Sequence, residues 1–250
     1  MNSNHTKMLV AVVAALLITS APLHASETDD RIESSANQSY VFKTYLAGDA
    51  IKTQSKDGIV TLSGTVNQES HKALAQETVT NLPGVNKVDN RLELKGERLA
   101  ENSNEWIGMN VKTALLFHGN VSASKTEVYV EEGIVTLRGE AINQAQKELT
   151  GEYTKDIEGV KGVRNEMTIA PETKKPEETM KEKIDDASIT AQAKTALLFH
   201  RSTSVNTKVG TKDGVVTLSG KAANAAEKDL AGKLVSDIHG VNSVVNNMTV

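Results

Sequence analysis

The sequence contains no cysteine, so no disulfide can staple it and no acyl chain can be attached through a lipobox thiol. Aromatic residues make up only 3% of it. With a hydrophobic content of 38%, the chain can bury apolar surface, but in several small cores rather than one large one. It also lacks a basic surplus. The formal net charge is -4, which excludes general nucleic-acid binding, a mode that rests on many Lys and Arg contacts to phosphate. The same balance argues against purely electrostatic attraction to anionic lipid unless basic residues cluster locally. No apolar run reaches the roughly 20 residues of a membrane-spanning helix. The longest, Met8 to Ile18, follows Lys7 and precedes small residues, Pro22 and the tripeptide Leu23-His24-Ala25, with a polar, acidic stretch from Ser26. This is the pattern of a secretory leader over residues 1–25, cleaved after Ala25.

Signatures of catalysis are missing too. There is no cysteine nucleophile, HExxH zinc motif, phosphate-binding P-loop or glycine-rich dinucleotide fingerprint. The expectation is a protein that is not an enzyme and needs no cofactor or metal.

What is present is a repeat. Three segments share one turn-and-strand core: Asp57-Gly58-Ile59-Val60-Thr61-Leu62-Ser63-Gly64, Glu132-Gly133-Ile134-Val135-Thr136-Leu137-Arg138-Gly139 and Asp213-Gly214-Val215-Val216-Thr217-Leu218-Ser219-Gly220. From each first glycine a Gly-Val pair lies 26 residues on, at Gly84, Gly159 and Gly240, and six residues later comes Asn90, Asn165 or Asn246. Asp-Gly or Glu-Gly ahead of an alternating strand predicts a hairpin turn, because glycine accepts the positive φ that tight hairpins need. After the turn Val60, Leu62, Gly64 and Val66 share one face, as do their counterparts. The glycine in that face predicts a helix packed close to the sheet. A helix follows, capped by Asn143 in the second copy and Asn224 in the third, and the Gly-Val pair ends it. A last alternating strand carries the asparagine between apolar neighbours. Its amide requires a partner there, which predicts that Asn90, Asn165 and Asn246 are structural locks bonded to a turn or helix end.

Ahead of each hairpin lies another helical stretch. In copies two and three it contains the same heptapeptide, Lys112 to His118 and Lys194 to His200, with Ile107, Val111 and Leu115 or Ile189, Ala193 and Leu197 facing inward. Copy one aligns through Lys43-Thr44 and reaches its turn sooner, which predicts a shorter first strand. The fold class is therefore α+β: three tandem αββαβ modules, each a three-stranded mixed sheet with two helices packed on it. Module 1 covers residues 34–95, module 2 covers 104–170 and module 3 covers 185–250. Residues 171–184, with two prolines and alternating charge, read as an exposed linker that lets module 3 move relative to module 2.

Six residues are candidates for contact with lipid or a partner. Phe117 and Phe199 fall off the inward stripe, where an aromatic ring can insert at a lipid interface, dock on a neighbouring module or cover the edge of its own core. Lys112 and Lys194 can meet lipid head groups or belong to a solvated mixed-charge face. His118 and His200 stand at helix ends, where capping or exposure fits better than metal binding, since no second ligand recurs beside them.

The αββαβ order, the Gly-x-Val-Thr-Leu-x-Gly strand and the later Gly-Val with its asparagine resemble the BON domain, over residues 34 to 250. The resemblance implies phospholipid or membrane-surface association, residence in the periplasm and a part in osmotic or envelope stress. A module that binds or protects other envelope proteins is the alternative.

Overall fold

The computed structural model describes residues 23–170, 184–200, 203 and 207–250. The proposed leader, apart from its last three residues, and residues 171–183 of the proposed linker lie outside them.

Each module begins with a helix that lays one apolar stripe on a sheet. In module 1 this is α1 (Leu23–Gln38), extended by the short α2 (Tyr40–Thr44) and followed by β1 (Ala50–Lys56), β2 (Ile59–Val66), α3 (Glu69–Thr80) and β3 (Lys87–Leu94). Module 2 repeats the order with α4 (Asn104–Phe117), β4 (Thr126–Glu131), β5 (Ile134–Ala141), α5 (Gln144–Lys155), β6 (Gly162–Asn165) and the short β7 (Thr168–Ile169). Module 3 does so with α6 (Asp186–Phe199), β8 (Lys208–Lys212), β9 (Val215–Ser219), α7 (Ala225–Ser236) and β10 (Ser243–Asn246). The motif strand is central in every sheet, antiparallel to the strand before it and parallel to the one after it. Three α+β modules of the expected αββαβ order are thus present.

The turns are built as the sequence implies. Asp57, Glu132 and Asp213 have φ of 53°, 51° and 53°, and the following glycines 74°, 82° and 75°, so both central residues occupy the left-handed region, as a two-residue hairpin of matching twist requires. Each turn is also tied to the first helix of its module. The Asp29 carboxylate accepts from the backbone N–H of Asp57 and Gly58 and from the Ser55 hydroxyl. Asp186 accepts from Asp213 and Gly214, and Asn104 accepts from Gly133.

Two expectations about copy one are corrected by these ties. Asp29 and Ile32 stand where Asn104 and Ile107 stand in module 2, with Ile32 and Ile107 each packed beside the helix-terminating glycine, Gly84 or Gly159. Module 1 therefore includes residues before 34, and the alignment through Lys43-Thr44 is displaced. Its first strand, at seven residues, is longer than the six of β4 and the five of β8. The sequence signal was lost because α1 is mostly polar on its outer side and breaks at Ser39, which caps α2.

The motif glycine is corrected as well. Gly64 and Gly139 have φ of 110° and 113°, and a Cβ on either would collide with the carbonyl oxygen of Ala50, the first residue of the adjacent strand β1, or of Lys125, the residue just before β4. The neighbouring strand, not a helix, requires glycine there. The asparagines hold strand to helix: Asn90, Asn165 and Asn246 donate to the carbonyls of Lys72, Lys147 and Lys228 at 3.1, 2.6 and 2.7 Å and accept from the backbone N–H two residues on. Gly151 and Gly232 leave room for the amide, and Asn143 and Asn224 cap their helices.

Modules do not pack in chain order. Modules 1 and 3 share one continuous apolar core, whereas module 2 has its own. Helix α6 is buried on nearly every side, against α3 of module 1 as well as its own sheet. Tyr40 and Val41 donate their backbone N–H groups to Asp185 and Ser188, and Lys194 pairs with Glu77 at 2.8 Å. Module 3 is thus embedded between the other two, contrary to the mobility expected of it.

Candidate functional site

The repeated Leu-Leu-Phe-His helix ends are where the three modules meet. Because His118 and His200 follow the last helical residue, each chain leaves its helix in an extended conformation and can pair with a neighbour. His118 forms an antiparallel bridge with Ile238 of module 3, and His200 forms one with Ile157 of module 2. The exchange is reciprocal: Gly119 N–H donates to the Asp237 carbonyl, His239 N–H to the Phe117 carbonyl, and Glu158 N–H to the Phe199 carbonyl.

Side chains close this seam. The His118 ring, 0% exposed, stacks on Tyr153 with centroids 3.9 Å apart and meets His200 edge-on at 5.8 Å. The Asp237 carboxylate accepts from the Tyr153 hydroxyl at 2.7 Å and from the backbone N–H and side-chain amide of Asn120. His118 Nδ1 lies 3.4 Å from that carboxylate, too far for a good hydrogen bond, and neither ring nitrogen has a partner. His200 instead places Nδ1 3.0 Å from Asp156. Burial pushes the His118 imidazole below its ordinary pKa, outweighing the upward pull of Asp237. Burial likewise raises the Tyr153 hydroxyl, with Asp237 adding to it.

Five of the six expected contact residues are therefore engaged within the molecule. Phe117 is 0% exposed and belongs to the core of modules 1 and 3, edge-on to Tyr45 at 5.1 Å. Docking on a neighbouring module is what it does, and no surface is left for lipid. His118 and His200 are the C-cap residues of α4 and α6, but both are buried, which corrects the alternative expectation of exposure, and Lys194 is paired. Phe199, partly buried, packs against both cores. Lys112 alone is open to solvent, with no ion-pair partner among the described residues.

The residues the motif does expose are the second leucines, Leu116 at 44% and Leu198 at 56%. Leu116 is one turn beyond Lys112 on α4. Beside that helix a groove of about 490 Å³ is lined by Met109, Lys112, Tyr129 and Val130, and Tyr129 is 51% exposed. A second groove of about 650 Å³ opens where the modules meet, floored by Trp106, Met109, Leu198 and Phe199 and rimmed by Glu69, Lys72, Glu77 and Glu158. Sequence periodicity missed Leu116 and Leu198 because inter-module burial reverses which helix face is outside; Tyr129 lies on the solvent face of β4, between Glu127 and Glu131. The repeated Asp-Ile before the glycine, at Asp156-Ile157 and Asp237-Ile238 but Asn81-Leu82 in module 1, was a readable sign of the seam. Among the described residues no group of three or more His, Asp or Glu side chains is placed to hold a metal, and no helix is long and apolar enough to cross a membrane.

A threefold αββαβ repeat with this turn, strand and asparagine defines a class. The chain belongs to the BON domain family, which matches at residues 28–96, 103–171 and 185–250. Its similarity to a curated relative extends through most of both chains. Osmotically-inducible protein Y of Escherichia coli (strain K12) is 30% identical over 190 residues, spanning 76% of this chain and 92% of that protein. Among solved structures, CdsD, a structural protein of the type III secretion system of Chlamydia trachomatis, matches at 16% identity over 87% of this chain and 88% of its own, with a TM-score of 0.23. The periplasmic domain of PrgH matches at 12% identity over 82% and 97%, with a TM-score of 0.20. Superpositions that loose carry no argument about this chain.

Proposed function

We propose that this is an exported periplasmic protein that binds phospholipid at a membrane surface and supports the envelope under osmotic or other stress. The observation that carries the reading is the outward stripe of α4. Met109, Lys112 and Leu116, beside the exposed Tyr129, put apolar side chains and one unpaired cation on the same face. Such a face can bury its apolar groups at the head-group boundary while the ammonium meets lipid phosphate. The name of the Escherichia coli relative supports the stress assignment, and the leader pattern at residues 1–25 supports export. Co-sedimentation of the mature protein with vesicles containing phosphatidylglycerol is expected at low salt. It should weaken in high salt and be lost in the Leu116→Ser, Tyr129→Ser double variant. Absence of low-salt binding would overturn the reading.

The groove at the module junction favours a second reading, capture of an apolar segment of another envelope protein. Its floor holds Trp106, the only tryptophan, and its rim is mostly acidic. Suppression of client aggregation without lipid, weakened by Leu198→Ser and not by Leu116→Ser, would favour this reading over the first.

A further inference from the structure

We propose that the seam between modules 2 and 3 is an acid-sensitive latch, in which protonation of His118 releases module 2 from the unit formed by modules 1 and 3. The idea is independent of the membrane reading.

The architecture supplies two bodies. Module 2 keeps its own core around Ile107, Leu115, Leu137 and Met167, whereas modules 1 and 3 share theirs. Release of module 2 therefore leaves both bodies folded. What joins them is concentrated at the helix ends: the two reciprocal bridges, Phe117 inserted beside Tyr45, and the hydrogen bonds of Tyr153 and Asn120 to Asp237 of module 3, beside which the His118 ring lies stacked on Tyr153 of its own module.

The seam is built for a neutral His118. Its ring lies wholly inside, and every charged or titratable group around it is otherwise occupied or unhelpful. Asp237 from module 3 is the one carboxylate in reach, and its two oxygens already accept from Tyr153 and Asn120. Asp156 of module 2 is turned to His200. His200 and His239, on the two elements of module 3 that face the ring, can only repel an imidazolium. A protonated ring would thus carry two N–H donors, Nε2 with no acceptor and Nδ1 with only the distant, already engaged Asp237 carboxylate, a costly state to bury. Asp237 opposes this, but at 3.4 Å and with its oxygens engaged it offsets only part of the desolvation.

The direction follows. His118 binds a proton more weakly docked than released, so acidification favours release. Above the ordinary imidazole pKa of about 6.5 the latch is closed. As pH falls through that value the ratio of released to docked molecules rises by up to tenfold per pH unit, until His118 is protonated in the docked form as well.

The chain has no native cysteine, so two can be introduced for spin labels at exposed sites, Glu127→Cys in module 2 and Lys208→Cys in module 3. The inter-label distance distribution should be narrow at pH 7.5 and broaden toward pH 5, with far-UV circular dichroism unchanged. His118→Phe keeps an aromatic ring on Tyr153 and removes the proton, so it should hold the narrow distribution throughout. His71→Phe, in module 1, should behave as the parent does. An unchanged distribution in the parent at pH 5, or the same broadening in His118→Phe, would overturn the proposal. If His118→Phe does not dock at neutral pH, the NMR titration of the parent's His118 ring decides. A pKa below about 6.5 supports the latch, and one at or above it refutes it.

Discussion

Phe117→Ala separates an aromatic that docks modules from one that merely lines the edge of its own module. The phenyl ring is fully buried in the core of modules 1 and 3, although its backbone belongs to module 2. Truncating a buried Phe costs about 3–5 kcal/mol, because transfer energy is lost and a cavity is left. Of this, about 0.5–1.5 kcal/mol is the edge-on contact with Tyr45. Module 2 loses nothing from its own core, so the loss should fall on docking and not on the module's internal stability. Thermal unfolding by calorimetry should change from one transition toward two, with the first lowered by about 10 °C, given about 2–4 °C per kcal/mol for a unit of this size. A double-mutant cycle with Tyr45→Ala should give a coupling energy of about 0.5–1.5 kcal/mol, the range of an aromatic pair. A single undivided transition with a loss below about 1 kcal/mol, or additive effects of the two substitutions, would refute the argument that Phe117 acts across the module boundary.

Other consequences are local. Gly139→Ala should cost well over the roughly 1–3 kcal/mol of a strained backbone position, since its Cβ meets the Lys125 carbonyl; Gly96→Ala, with a φ of 108° but nothing within 4 Å, should cost only that strain. Urea midpoints of the two variants compare them directly. Asn165→Ala leaves the Met167 N–H without its acceptor and the Lys147 carbonyl without its side-chain donor, a loss of about 1–3 kcal/mol readable in the same titration. Three hydrogen bonds, the strongest from Ser55, hold the Asp29 carboxyl below its ordinary pKa against opposing desolvation. Its contribution is present above the ordinary aspartate range of about 3.9 and is lost as pH falls through it toward the folded value. The parent's urea midpoint should therefore drop in acid more steeply than that of Asp29→Asn; equal slopes would count against the assignment.

The fold inside each module was legible because its constraints are local. Asp-Gly or Glu-Gly forces a left-handed turn, period-two alternation fixes the register, and an asparagine between apolar strand neighbours must bond to something nearby. The helix caps at Asn143 and Asn224 follow from the same short-range logic. The first helix of module 1 was not legible for the opposite reason. What anchors it is the tie from Asp29 to a turn almost thirty residues away, together with Ile32 packed on Gly84. A single apolar residue and a single carboxylate give too weak a pattern to compete with the stronger but misleading match at Lys43-Thr44.

The arrangement of modules lies beyond what periodicity can carry, and α6 shows why. A helix buried on one side displays a stripe, and the inward positions Ile189, Ala193 and Leu197 form it. Packing against module 1 covers Ser188 and Gln192, which bond to Val41 and Tyr45, and Thr190 and Thr195 are buried as well; the polarity of all four reads as solvent exposure. Their hydroxyls and amide are satisfied where partners exist, Gln192 by Tyr45 and Thr190 by Thr211. The outer face therefore looks wet in sequence and is dry in the structure. The same inversion explains Phe117 and Leu116. Modules 2 and 3 share one heptapeptide, and the reciprocal bridges use both copies of it. Its Phe and His turn into a seam that no single module possesses, and Leu116 and Leu198 are left outside. Surface exposure in a tandem array is a property of the assembly. A binding face assigned to one module from its own periodicity will be wrong wherever a neighbour has already claimed it.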